Sequence, residues 1–72
     1  MTYAYAMRII LYGGEMKQKD LIKMLERNGW IKEREGGNHI IFTNGKEIEP
    51  IPRHKEIAET LAKAIIKRRG LK

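Results

Sequence analysis

One amphipathic stretch of helical period lies in the first half of the chain. In residues 17–28, Leu21, Ile22 and Leu25 recur at the spacing of one helix face, with charged residues between them. Gly29 follows at the position where a helix is expected to end. The pattern therefore predicts a first amphipathic helix over residues 17–28.

A second helical pattern occupies the last part of the chain. In residues 55–69, Ile57, Leu61 and Ile65 recur every four residues with alanines beside them, and Gly70 ends the run. This spacing predicts a second helix over residues 55–69 with an apolar stripe to bury.

The residues between these helices are typical of short strands joined by tight turns. Three strands are predicted, over residues 30–35, 39–43 and 46–51. Gly36-Gly37-Asn38 is typical of a hairpin turn, and Asn44-Gly45 is the strongest hairpin dipeptide available. Pro50 and Pro52 suit the end or the edge of a sheet better than a central position.

The order of elements is therefore α-β-β-β-α. Three antiparallel strands have one face to bury, and two helices with apolar stripes can cover it. The predicted fold class is α+β: a two-layer domain with a three-stranded antiparallel sheet, two helices on one face and solvent on the other.

Alternation along the second strand orients a histidine. Ile40 and Phe42 point to one face of the sheet, so His39 and Ile41 point to the other. If the large apolar pair fills the core, His39 faces solvent beside the tight turn. Because an imidazole titrates close to neutral pH, a histidine presented in this way is a candidate for proton transfer.

For the first and third predicted strands, the sequence does not establish which side chains point toward the core. Trp30 and Ile31 are neighbours and cannot both point inward, although Trp30 is expected to anchor the core or the sheet edge rather than stack on bases. The alternating glutamates are typical of a solvent face and are given no catalytic role; they are Glu33, Glu35, Glu47 and Glu49. If the residues that alternate with Glu47 and Glu49 face inward, these two glutamates share the face of His39.

Composition narrows the possible chemistry. The 72 residues include no cysteine and no serine, which excludes Ser-His-Asp and Cys-His nucleophilic sites. Two histidines and a single aspartate, Asp20, are poor material for a metal site, so we expect no metal and no cofactor. No run approaches the roughly 20 apolar residues of a membrane span, and residues 7–12 lack the features of a secretory signal. We therefore expect a soluble, cytoplasmic protein with no membrane partner.

The positive net charge of the chain indicates a class of binding partner. Fifteen lysines and arginines oppose nine acidic residues, and the net charge of +6 favours polyanions, with nucleic acid first. A charge of about this size also serves the solubility of a small domain. Charge alone therefore leaves nucleic-acid binding open.

Residues 1–15 stand apart from the predicted domain, which is complete over residues 16–72. Tyrosines and isoleucines give the first segment strand propensity, which is consistent with an extra strand or an arm. Alternatively, Gly13-Gly14-Glu15 is what a purine-rich ribosome-binding sequence would encode, which makes Met16 the native start. Both interpretations divide the chain into an N-terminal extension and a domain.

Several segments, in a fixed order, resemble the HicA family of toxin ribonucleases. They are Lys19-Asp20-Leu21-Ile22-Lys23, Leu25-Glu26, Gly29-Trp30, Gly36-Gly37-Asn38-His39, Pro52-Arg53-His54 and Ala62-Lys63-Ala64-Ile65-Ile66-Lys67. The resemblance covers residues 16–72. The family pattern most often has Gly-Ser-His where this chain has Gly-Asn-His, so Asn38 replaces a hydroxyl residue with another short polar turn former.

The resemblance implies a double-stranded-RNA-binding-like fold and a toxin that cleaves messenger RNA without a metal ion. It also implies growth arrest by the free toxin, inhibition by a HicB antitoxin, and His39 as the catalytic residue. The chemistry is compatible with these residues, because RNA carries its own nucleophile in the 2′-hydroxyl. Cleavage then needs only a base for that proton and donors for the phosphorane oxygens.

The candidate RNA-binding residues lie in the turn before His39 and near the two predicted helix starts. They are Lys17, Lys19, Lys23, Gly37, Asn38, His54 and Lys55. The lysines would hold phosphates in the manner of double-stranded-RNA-binding domains. His54, just before the predicted second helix, is either a second proton-transfer group that contacts an anion or an ordinary polar residue at a helix start.

Three functions therefore compete. The first is an RNA-cleaving toxin that acts through His39. The second is a non-catalytic RNA-binding module, in which the histidine contacts a 2′-hydroxyl or a phosphate and the RNA stays intact. The third is a protein-interaction domain whose basic surface meets an acidic partner.

Overall fold

The computed structural model of the chain describes residues 15–72. In chain order the elements are β1 (Glu15–Lys17), α1 (Gln18–Arg27), β2 (Ile31–Glu35), β3 (His39–Thr43), β4 (Ile48–Pro52), β5 (Glu56–Ala58) and α2 (Glu59–Arg69). The predicted α-β-β-β-α order is present, with two short strands added to it. Residues 1–14 of the predicted N-terminal extension lie outside the described residues, whereas Glu15 belongs to β1.

The three predicted strands form one antiparallel sheet with the order β2-β3-β4. The register places His39 opposite Pro52 and Ile40 opposite Ile51. Strand β4 is therefore an edge strand, as its two prolines predicted, because an edge strand does not need every backbone N–H for pairing. The α+β class with a three-stranded antiparallel sheet and two helices is confirmed.

Both helices contribute to a single apolar cluster with the inner face of the sheet. The buried members that define it are Met16, Leu21, Met24, Leu25, Trp30, Phe42, Ile51, Ile57, Ala62, Ile65, Ile66 and Leu71. Ile40 and Ile22 are partly buried and pack against this cluster. The inward orientation of Ile40 and Phe42 is thus confirmed, and His39 is exposed on the opposite, outer face.

The structure decides the orientation at the start of β2. Trp30 is buried in the core, whereas Ile31 points outward and is 64% exposed. The Arg69 guanidinium lies 5.2 Å from the centre of the Trp30 ring, which is the geometry of a cation–π contact. Trp30 is therefore a core anchor, as predicted, rather than a platform for bases.

The second helix begins later than predicted. The residues expected to form its first turn lie instead in β5, which pairs with β1 in a separate two-stranded sheet. Ile57 of β5 lies opposite Met16 of β1, and both side chains are buried. The four-residue spacing of Ile57 was wrongly assigned to a helix, because one buried residue in a three-residue strand fits either period.

Glu47 and Glu49 were both predicted to face solvent, and the prediction was wrong for Glu49. Glu49 points inward and is buried, while the neighbouring Ile48 is 51% exposed on the outer face. Arg68 donates to Glu49 over 2.9 Å, and Arg69 donates over 2.7 Å, both from the end of α2. The Glu49 carboxylate therefore ties the last turn of α2 to the sheet, and it lies on the face opposite His39.

No helix within residues 15–72 is long and apolar enough to cross a membrane.

Candidate functional site

His39 is the first residue of β3 and directly follows the turn at residues 36–38. The turn is closed by the Gly36 N–H, which donates to the His39 carbonyl oxygen over 2.8 Å. A methyl group at Gly36 would lie 3.1 Å from that same oxygen, so the close approach favours glycine at this position. The fold thus presents an exposed imidazole at the rim of the outer face, on a short and tightly closed turn.

Arg53 fastens this turn to the end of β4. Its Nε and Nη2 atoms donate to the Gly36 carbonyl oxygen over 3.2 and 3.1 Å, and Nη2 also donates to Glu35 over 2.6 Å. The backbone N–H of Arg53 donates to the Asn38 carbonyl oxygen over 3.2 Å. One residue therefore contacts both ends of the turn that carries His39.

Glu35 is the acceptor on which two cations converge. Lys32 donates to one carboxylate oxygen over 2.7 Å, and Arg53 donates to the other. The hydrogen bonds from Lys32 and then Arg53, followed by the charges of the same two residues, lower the pKa of Glu35 to about 2. The carboxylate is therefore ionised at neutral pH and holds the Arg53 guanidinium beside the turn.

Three of the predicted RNA-binding lysines surround one surface cavity. The cavity has a volume of about 160 Å³ and is lined by Lys17, Gln18, Lys19 and Lys55. Lys17 ends β1, Lys19 lies in the first turn of α1, and Lys55 lies in the loop before β5. The Gln18 N–H joins these segments by donating to the Lys55 carbonyl oxygen over 2.8 Å. Three ammonium groups around one concave surface suit an anion of the size of a phosphate.

Gln18 links this cavity to the strand that pairs with His39. Its side-chain Nε2 donates to the Pro52 carbonyl oxygen over 2.6 Å, and Pro52 lies opposite His39 in the sheet. The cationic cavity and the histidine turn are thus attached to the same end of β4.

The remaining predicted site residues lie outside the cavity. Gly37 and Asn38 are exposed in the turn before His39. Lys23 is exposed on α1, one helical turn after Lys19, but it does not line the cavity.

His54 is exposed in the loop after β4 and lies five residues before Glu59, the first residue of α2. The expectation that His54 and Lys55 stand at a helix start was therefore wrong, because β5 intervenes.

The outer face of the sheet combines the histidine with apolar side chains. Ile31, Thr43 and Ile48 form one row across the three strands, and the two isoleucines are exposed. Ile41 and Pro50 form the next row toward His39. A macromolecule that covered these rows would lie beside the histidine.

Sequence reasoning missed the roles of Arg53, Glu35 and Gln18. Arg53 was noted only as part of a resembling segment, and Glu35 only as one of several alternating acids. The observed pairing of Thr43 with Ile48 places Arg53 beside Asn38. The two-residue loop predicted from the sequence would have placed Ile51 there instead, so the sequence held no usable signal for this contact.

Comparisons with known proteins agree on one family. The family model described as the HicA toxin of bacterial toxin–antitoxin systems matches residues 19–71. A curated protein of Photorhabdus laumondii subsp. laumondii, named "Probable mRNA interferase HicA 2", is 42% identical over 60 residues, covering 79% of this chain and 100% of that protein. No solved structure showed significant similarity to the chain. The segment matched by the family model includes the histidine turn, Arg53, and Lys19 and Lys55 of the cavity.

Proposed function

The chain belongs to the HicA toxin family and is an endoribonuclease toxin of a toxin–antitoxin system, and from this premise we propose that it cleaves messenger RNA with His39 as the catalytic base. The observation that carries the proposal is the placement of His39: an exposed imidazole on a short turn that is closed at both ends. The reaction is proposed to need no metal ion, because RNA supplies the nucleophile.

In the proposed reaction, a nitrogen of the His39 imidazole takes the proton of a 2′-hydroxyl. The resulting 2′-oxygen forms a bond to the adjacent phosphorus, and the bond from phosphorus to the 5′-oxygen of the next nucleotide breaks. The products are a 2′,3′-cyclic phosphate end and a 5′-hydroxyl end, with the departing oxygen receiving a proton. General base catalysis of this kind contributes typically about 10²- to 10⁴-fold to a rate.

The cationic cavity is proposed to hold a phosphate of the same RNA strand. Lys17, Lys19 and Lys55 supply positive charge to the phosphate, and Gln18 couples their position to the strand end opposite His39. Lys23 extends the basic surface along α1, and the turn residues Gly37 and Asn38 are proposed to contact RNA beside the cleaved bond. His54 is proposed as an RNA contact as well, in the loop between β4 and β5.

We also propose a double-stranded-RNA-binding-like interpretation of the fold, which the α-β-β-β-α order of the main elements supports. In that interpretation the α-β-β-β-α core presents α1 and the loops to the nucleic acid, and β1 and β5 extend the core at the start of both helices.

The proposed protein partner is an antitoxin of the HicB type. A toxin–antitoxin family membership supports an antitoxin in general, and the outer face supports a physical route to inhibition. Exposed Ile31 and Ile48 share this face with His39, so a protein that buries them also restricts the access of RNA to the histidine.

The catalytic proposal is tested by inducing the toxin and its His39→Ala variant at matched levels in bacteria. Growth arrest with fragmented total RNA is expected for the parent only, and the purified parent should cleave RNA in the presence of EDTA. Since His39 is exposed, the variant should keep the thermal stability of the parent. Equal toxicity of both forms would contradict the catalytic role, and intact RNA bound equally by both forms would favour a non-catalytic binding module.

A further inference from the structure

We infer that Arg53 is a positioning residue, which holds the turn at residues 36–38 so that the His39 imidazole stays in the orientation required for proton transfer. This inference rests on the proposed catalytic role of His39. It concerns a residue whose guanidinium contacts the histidine turn through Gly36 and the neighbouring Glu35.

The turn needs such support because its own sequence supplies little rigidity. Gly36 and Gly37 have no side chains that could restrict the backbone, and glycine has the largest conformational freedom to lose. Strand β2, which enters the turn, is an edge strand whose five residues are all exposed. The Arg53 guanidinium holds Gly36, the first residue of the turn, while the Arg53 backbone N–H binds Asn38, the last residue, and does so whatever side chain stands at position 53.

The form of the contact is specific for a guanidinium. Two nitrogens of the same planar group, Nε and Nη2, share the Gly36 carbonyl oxygen, while Nη2 also reaches Glu35. A lysine ammonium is a point charge on a flexible stem and does not reproduce this planar arrangement. Glu35 is itself held by Lys32, so the guanidinium is oriented by a fixed carboxylate rather than by a free one.

The consequence for catalysis follows from the connection between the turn and the histidine. The Gly36 N–H is bonded to the His39 carbonyl oxygen, so movement of Gly36 is transmitted to the backbone that carries the imidazole. A misplacement of about 1 Å costs on the order of 10²-fold in rate. Removal of Arg53 is therefore expected to lower kcat by about 10- to 100-fold.

The experiment measures cleavage of a short RNA by the full chain and its Arg53→Lys, Arg53→Ala and Glu35→Gln variants, with kcat and KM determined separately. For a positioning role, kcat falls with both Arg53 variants, Lys rescues little of the loss, and KM stays within about threefold of the parent. Glu35→Gln should give a smaller loss of kcat in the same direction, because the contacts from Arg53 to Gly36 remain. Arg27→Lys, on the exposed end of α1, is the matched control and should leave both parameters unchanged.

A second readout separates positioning from general loss of structure. Backbone amide relaxation by NMR should show increased motion at Gly36 and Gly37 in Arg53→Lys, while the thermal midpoint changes little because the Arg53 side chain is 38% exposed and lies outside the apolar core. Unchanged kcat in the Arg53 variants would overturn the inference. An increase of KM that Lys rescues would also overturn it, since it would identify Arg53 as a phosphate contact.

The two proposals fail in distinguishable ways. If His39→Ala is fully active, the catalytic assignment is lost and the inference loses its basis with it. If His39→Ala is inactive while Arg53→Ala is as active as the parent, the catalytic assignment stands and only the positioning role of Arg53 is rejected.

Discussion

At the scale of single residues, two nearby glutamates show how burial determines the contribution of an ion pair to stability. Glu47 and Glu49 both pair with Arg69, at 3.0 and 2.7 Å, but their side chains are 60% and 4% exposed. A buried carboxylate has lost its hydration and depends on its arginine partners, whereas an exposed carboxylate keeps its water. The same type of ion pair is therefore expected to have very different energetic weight.

Replacing Glu49 with Gln should lower the free energy of unfolding by about 3 kcal/mol, because Arg69 stays largely buried without a full compensating charge. The matched variant Glu47→Gln should cost less than about 1 kcal/mol. Urea unfolding of both variants measures the two values. Equal costs would contradict the claim that burial at Glu49 determines the difference.

The pH dependence of stability should reveal the ion pairs of Glu35. Its pKa of about 2 in the folded protein lies below its ordinary value of 4.5, so folding favours the ionised form. The stabilisation is fully present above about pH 4.5 and is lost as the pH falls toward 2. The thermal midpoint of the parent should therefore exceed that of Glu35→Gln at pH 7, and the difference should shrink at pH 2.5.

The size of this effect is expected to be small, since Glu35 and both its partners are solvent-exposed. Glu33→Gln removes an exposed carboxylate from the same strand and serves as the control. A difference between the parent and Glu35→Gln that grows as the pH falls would contradict the assignment of these ion pairs as stabilising.

At the scale of elements, the boundary between β5 and α2 shows where sequence periodicity failed. Ile57, Leu61 and Ile65 share a four-residue spacing, yet Ile57 is buried from a strand and Leu61 is 37% exposed on the helix. The buried face of α2 is formed instead by Ala62, Ile65 and Ile66. A spacing that crosses an element boundary has no meaning for either element.

This boundary predicts unequal effects for two substitutions that the helical pattern would treat alike. Ile57→Ala should cost about 3 kcal/mol of unfolding free energy, because it opens a cavity in the core beside Met16. Leu61→Ala should cost less than about 1 kcal/mol, since part of its side chain already meets water. Chemical denaturation of both variants tests this, and equal costs would favour a continuous helix from residue 55.

The loop of the hairpin between β3 and β4 is longer than predicted, which changes the register of the two strands. The prediction started the third strand directly after Asn44-Gly45, whereas the loop contains four residues, with Asn44 Oδ1 accepting from the N–H groups of Lys46 and Glu47. Two added loop residues shift the pairing by two and leave each residue on the same face. The predicted loop would pair Phe42 with Glu47, and the observed loop pairs it with Glu49. Both registers place a glutamate opposite the inward-facing Phe42, so an inward glutamate could have been predicted from the sequence.

At the scale of the whole molecule, the net charge of +6 becomes informative only through its distribution. Arg68 and Arg69 are used within the fold, where they bind Glu49. Lys17, Lys19 and Lys55 meet instead around one cavity. The same composition thus contains cations that pair within the fold and a cluster of lysines around a cavity, which explains why composition alone left nucleic-acid binding open.

The triple variant Lys17→Gln, Lys19→Gln, Lys55→Gln should weaken RNA binding and its salt dependence. If each lysine neutralises one phosphate of a single strand, the slope of log K against log salt concentration should fall by about 2 in magnitude. The control replaces Lys46, Lys63 and Lys67 with Gln. These lysines are exposed and lie outside the cavity, so the control variant loses the same charge. Equal losses in both variants would show that net charge, rather than this cavity, controls binding.

The sequence by itself determined the two helices and the three strands of the main sheet, the family and the exposed position of His39. Turn residues, period-two alternation and apolar stripes act over a few neighbours, so they specify the α-β-β-β-α order and the face of each β3 residue without knowledge of the rest. The order of short segments around the Gly-Asn-His turn carried the family resemblance, which the comparisons confirmed.

Only the tertiary structure decided which distant residues meet. The contact of Arg53 with the turn, the burial of Glu49 under α2 and the pairing of β1 with β5 join segments 17 to 43 residues apart. These contacts depend on strand register and on the packing of both helices against one sheet. Local sequence patterns hold no information on contacts at such separations, and this is why the exposed position of His39 was predicted from the sequence and the contact of Arg53 with its turn was not.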